Sequence, residues 1–127
     1  MKFISRFNDT LADMLRELVS VFPTDTDLAL YSFAASKIEG TNNEIISKAF
    51  YEDIALKYEN QIKSKNETFF MENSFDEYND KGFLGYNIGD VIKKIKSKHS
   101  ELSLSNKEVI WKYLIVLVTL SKKIYEA

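Results

Sequence analysis

The chain contains no cysteine in its 127 residues. That absence removes disulfides, thiolate metal sites and a cysteine nucleophile together, and it fits a reducing compartment. Proline occurs once and glycine four times, too few punctuating residues for an all-β or a disordered chain. Histidine also occurs once. His99 stands in "KSKHSE", behind lysines and outside any triad-like setting, so a solvated turn or a helix C-terminal position is expected of it rather than general-base work. Neither sign of charge prevails: 17 basic and 19 acidic residues leave a net charge of −2, with no global pull toward nucleic acid or an anionic membrane. Long apolar runs are missing as well. The densest, from Tyr113 to Val118, is flanked by Lys112, Lys122 and Lys123 and falls well short of the roughly 20 residues that span a bilayer. The opening "MKFISRFNDTLADML" has no uninterrupted apolar stretch, so export by a signal peptide is not expected.

What the sequence does have is helical periodicity. Phe7, Leu11, Met14, Leu15, Leu18 and Phe22 recur three and four apart and place one apolar stripe on a first helix, Phe3 to Phe22, whose other face carries Arg6, Asp9, Asp13, Arg16 and Glu17. Pro23 ends it. "TDTD" is read as a capping variant with Thr24 in the lead, followed by a helix to about Ile38 bearing Leu28, Leu30, Tyr31, Phe33, Ala34 and Ala35, with Gly40 as its C-terminal stop. "TNNE" at Thr41 to Glu44 matches a capping box and opens a third helix with Ile45, Ile46, Ala49, Phe50, Ile54, Tyr58 and Ile62.

The segment from Asn66 to Asn87 changes character. A short helix at Glu67 to Met71 is expected, then a long aromatic and acidic loop at about 72–87. Ile88, Val91, Ile92 and Ile95 mark a modest helix from Ile88 to Lys98. "SNKE" at Ser105 to Glu108 matches a third capping box and launches the closing helix, Ser105 to Glu126. Val109, Trp111, Leu114, Val116 and Val118 surround that helix with apolar groups, as on a rod buried on most faces. The expected fold is therefore all-α: one domain over residues 1–127, a bundle of about five helices with a mostly buried C-terminal helix.

No constellation specifies a reaction. Glu72, Asp76, Glu77 and Asp80 form the densest acidic cluster, yet they lack the ligand spacing of an EF-hand loop and read as a solvated loop. "GFLGYNIGD" lacks the phosphate-loop lysine and the dinucleotide glycine spacing. Glu52 and Asp53 are adjacent on a helix and so point apart. No catalytic residue, metal site or cofactor is assigned.

Binding is the better prospect. Trp111, Tyr113 and Tyr125 on the closing helix and Phe75, Tyr78, Phe83 and Tyr86 in the loop are residue types that anchor protein interfaces. The expectation is a non-enzymatic protein-interaction module, with a homo-oligomer as one form of it. The alternative is a nucleic-acid-associated regulator using Lys93, Lys94, Lys96 and Lys98. A third is a small divalent-metal-dependent hydrolase built on Asp76, Glu77 and Asp80.

Two frames, "FNDTLADMLRELVSVFPTDTDLALY" near the start and "NKEVIWKYLIVLVTLSKKIY" at the end, resemble a group of small helical proteins of unknown function encoded by large DNA viruses of algae and protists and by some marine phages. The resemblance spans nearly the whole chain and is weakest from Lys63 to Ser103. It implies a viral protein acting with a viral or host protein, inside the infected cell (host cytoplasm or virus factory) or in the virion. It carries no site residue.

Overall fold

The computed structural model describes residues 2–73 and 87–126, and among them there is no strand. The fold is an all-α domain, with six helical rods among the described residues. Helix α1, Lys2–Val21, turns Phe7, Leu11, Met14, Leu15 and Leu18 inward on the expected stripe and stops two residues before Pro23. Helix α2, Thr26–Ile38, is capped by Asp25 and not by Thr24. The Asp25 carboxylate accepts the Leu28 N–H at 3.0 Å; with the helix opening at Thr26, the Thr24 hydroxyl stands one residue too far out, and an ionised acceptor is the stronger one. Beyond α2, Gly40 takes a positive φ of 74°, as its place past the helix end predicts.

The "TNNE" capping box does not form. Thr41 instead donates its hydroxyl to the Ile38 carbonyl at 2.7 Å, and Asn43 Oδ1 accepts the Ile45 N–H at 3.0 Å, while Glu44 makes no side-chain cap. Asn8, buried on α1, fixes this turn by donating Nδ2 to the Thr41 and Asn43 carbonyls at 3.1 and 2.9 Å. The third rod then runs through α3, Ile45–Phe50, a π-helical turn, Tyr51–Ala55, and α4, Leu56–Lys63, where Tyr58 departs from helical geometry at φ −128°, ψ 15°. Asp53 is buried in the π turn and Glu52 is exposed, so the two acids do point apart.

Helix α5, Glu67–Glu72, is capped by the Asn66 side chain, which accepts the Phe69 N–H at 3.0 Å. Helix α6, Ile88–Lys98, opens on a full capping box of Asn87 and Asp90, with reciprocal bonds of 3.0 and 2.9 Å. A 3-10 turn, His99–Glu101, leads to α7, Leu104–Tyr125. Its cap is Ser103, whose Oγ accepts the Asn106 N–H at 3.1 Å. The expected Ser105 box is absent because Ser105 already lies within the first turn.

Helix α1 is the centre of the packing and lies chiefly against α7 and α2. Phe7 meets Phe50 edge-on at 5.5 Å between ring centroids, joining α1 to the third rod. Helix α7 buries Ile110, Trp111, Leu114, Leu117, Val118 and Leu120, while Val116 faces outward and Tyr113 and Ile115 are half-buried. Lys122 of α7 reaches both carboxylate oxygens of Glu59 on α4 at 2.8 Å, so the last turn is tied to the third rod by charge as well as by packing.

Candidate functional site

An apolar pocket of about 50 Å³ lies where α5, α6 and α7 converge. Its wall is made by Phe70 and Met71 of α5, Ile92, Ile95 and Lys96 of α6, His99 and Leu102 of the connection, and Lys107, Ile110, Trp111 and Leu114 of α7. The apolar stripe of α6 and the broad apolar circumference of α7 are what aim these side chains at one another. Trp111 is 8% exposed and its ring meets Phe70 edge-on at 5.4 Å, continuing an aromatic series through Phe69 at 5.6 Å to Tyr58 at 5.5 Å.

His99 takes the helix C-terminal position expected of it, as the C-cap of α6, and its side chain is turned into this wall and not into solvent. It follows α6 directly, where Leu102 docks inward and carries the connection with it. Its Nε2 lies 3.3 Å from Glu67 Oε1, with Lys107 Nζ 3.9 Å from the same oxygen. The nitrogen is buried and has no well-aligned hydrogen-bond partner among the described residues.

The other aromatic candidates divide. Tyr113 is half-buried beside α1, and burial raises its hydroxyl pKa above the usual value. Tyr125 stacks obliquely on Tyr51 at 5.3 Å, and its hydroxyl bonds Ser47 Oγ at 2.8 Å. Both are therefore committed to contacts inside the chain. Phe75, Tyr78, Phe83 and Tyr86 lie outside the described residues, as do Asp76, Glu77 and Asp80.

The lysines of α6 do not form one stripe. Lys94 lies 2.8 Å from Asp27 and 3.3 Å from Asp25, and Lys98 lies 3.4 Å from Asp25 and 3.8 Å from Glu101. The Lys98 ammonium also stands 5.3 Å from the Phe22 ring centroid. Lys96 instead donates to the Asn73 carbonyl on the pocket side, and Lys93 is exposed. The open polar cleft between α6 and the start of α2 thus holds two lysines facing three carboxylates. The Leu28 N–H bond, aided by Lys94, holds the Asp25 carboxyl below its ordinary value, while hydrogen bonding to Asp27 raises Lys94.

One surface was not singled out by the sequence reading: the outward face of α2. Leu28, Ala34, Ala35 and Ile38 are buried, yet Leu30 and Phe33 are 63% and 56% exposed. The signal was available. A helix with Leu28, Leu30, Tyr31, Phe33, Ala34, Ala35 and Ile38 in eleven residues has more apolar side chains than one stripe can hold.

Among the described residues, no group of three or more histidines and carboxylates is placed to hold a metal ion, and no helix is long and apolar enough to cross a membrane. No family model, no curated protein and no solved structure matches the chain. The class established by the structure is the fold itself, an all-α helical bundle.

Proposed function

We propose that the protein is a non-enzymatic protein-interaction module that binds through the outward face of α2. The observation that carries it is the second apolar face of that helix, Leu30 and Phe33, presented to solvent opposite the face that packs on α1. Exposed phenyl and isobutyl groups on a regular helix supply the anchors of helix-mediated recognition at little ordering cost, because the backbone that carries them is already fixed. The aromatic groups first expected to serve as anchors contribute differently: Trp111 and Tyr125 hold α7 to its neighbours. A viral setting, in the infected cell or in the particle, is supported by the sequence resemblance alone. The nucleic-acid alternative has the weaker support, since Lys94 and Lys98 face carboxylates of the same chain and an added phosphate would have to displace them.

Photo-crosslinking in cells tests the proposal. A benzophenone amino acid in place of Phe33 is expected to give protein adducts that survive nuclease, and the same group in place of Glu17, on the exposed side of α1, is expected to give none. Absence of adducts at position 33, or equal adducts at both positions, would overturn it.

A further inference from the structure

The outward face of α2 has an internal symmetry that names its partner. Thr26, Leu30, Phe33 and Lys37 are all exposed and follow one another at intervals of four, three and four residues, which keeps them in a single line along the helix. That series of intervals is the same read in either direction. Two copies of α2 laid antiparallel about a two-fold axis midway between Leu30 and Phe33 therefore match in full: Leu30 of each copy meets Phe33 of the other, and Thr26 meets Lys37.

The charges agree with the antiparallel sense and oppose the parallel one. Asp27 lies beside Thr26 at the start of the line, 2.8 Å from Lys94 of its own chain yet still exposed at 53% of its side chain, and Lys37 lies at the end, its ammonium 4.6 Å from the Phe33 ring centroid. Reversal brings each Lys37 toward the Asp27 end of the other helix, whereas parallel alignment sets Lys37 on Lys37. Antiparallel packing also opposes the two helix dipoles. Gly and Pro are absent from the helix, so nothing bends the line away from a facing rod.

We infer that the protein self-associates as a two-fold dimer through antiparallel α2 helices, with the Leu30–Phe33 pair at its centre. This rests on the α2 face being a protein-binding surface and specifies its occupant as a second copy of the chain. A single helix pair lies at the small end of stable interfaces, so the dimer forms in a concentration-dependent way and exchanges quickly.

Sedimentation equilibrium over about a hundredfold concentration range ending near 1 mM is the first test. The mass is expected to rise from the 14.7 kDa of the monomer toward twice that value, and to stay monomeric for Phe33→Asp and Leu30→Asp, whose helicity is checked by circular dichroism. Orientation is read from the cysteine-free background. Thr26→Cys and Lys37→Cys proteins are mixed under oxidising conditions, and intact-mass spectrometry counts the products. The mixed disulfide is expected to exceed both like-with-like products at least several-fold, because either position lies about 16 Å from its own copy along an antiparallel pair, beyond disulfide reach. A mass that stays monomeric, an association untouched by the two Asp variants, or an excess of like-with-like disulfide would each overturn the dimer. If the mass stays monomeric while benzophenone at position 33 still captures other proteins, only the second copy is lost as the partner; if that capture fails too, the interaction proposal falls with it.

Discussion

Helices α1 and α2 lie side by side and solve the burial problem differently. Helix α1 segregates its residues: Phe7, Leu11, Met14, Leu15 and Leu18 are inside, with Asp13 and Arg16 outside, joined at 2.6 Å. Arg16 also reaches Glu39 at the end of α2, at 2.5 Å. Helix α2 divides its apolar residues between two faces, and only one of these has a partner among the described residues. An amphipathic helix is accounted for by its own core, whereas a helix that is apolar on two sides is accounted for only when something covers the second. The difference separates residues that build the domain from residues that are available to another molecule.

The contrast can be broken most severely from the α1 side. Phe7→Ala should cost about 3–5 kcal/mol of unfolding free energy, because Phe7 is fully buried and its ring contact with Phe50 disappears along with its apolar burial; a urea titration measures it. A loss below about 1 kcal/mol would mean that α1 is not the packing centre. Asn8→Ala should follow at about 1–3 kcal/mol, since it leaves the Thr41 and Asn43 carbonyls without their donor. An unchanged midpoint would show that water replaces the amide there.

On the α2 side the expected effects are smaller. Asp25→Ala should cost about 1 kcal/mol as a lost helix cap, with some further loss from Lys94 and Lys98. It also carries a pH signature. The Asp25 carboxyl titrates below its ordinary 3.8 in the folded chain, so its contribution is complete above that value and disappears as pH falls through the lower, folded-state pKa. Acid titrations of the parent and Asp25→Asn should therefore converge at the acid end; curves that remain parallel down to pH 2 would remove Asp25 from the account. Smallest of all, Phe33→Ala in dilute solution should move stability by no more than about 0.5 kcal/mol, as an outward ring on a free surface would. A larger loss would place Phe33 in the core and erase the contrast between the two helices.

Much of this architecture was legible because it follows from period. The α1 stripe, the bounds of α6 and the short α5 all emerge from spacings of three and four and from the change in composition that begins at Asn66. Caps were read less well, and for a local reason. A Ser or Thr three residues before an acid is a frequent arrangement, and the choice between neighbouring candidates depends on where the helix is anchored by packing. Leu102, docked in the pocket wall, fixes the chain so that Ser103 and not Ser105 caps α7. At Asn87 and Asp90 the box is written in the sequence, an amide side chain three residues before an acid at the start of α6.

The π turn had a signal too. Ile46, Phe50, Ile54, Tyr58 and Ile62 recur at intervals of four without a three between them. In an uninterrupted α-helix each such step drifts about 40° around the axis. A turn with an extra residue, placed at Tyr51–Ala55, returns the later members toward the core. Of the candidate site, the aromatic residue types were visible but their placement was not. Trp111 and Tyr125 have the composition of interface anchors, and only the approach of α5 and α3 shows that they are already occupied.

The placement of Trp111 has an optical consequence. It is the only tryptophan in the chain, and it stands where α5 closes on α6 and α7 beside the pocket. Its emission therefore reports on one joint of the molecule without a label. Any event that lifts α5 from α7 opens the indole to water and shifts its fluorescence to the red, while events confined to the far face of α2 leave the spectrum unchanged. The protein carries, in a single side chain, a means of telling an opening of its own core from the arrival of a partner at its surface.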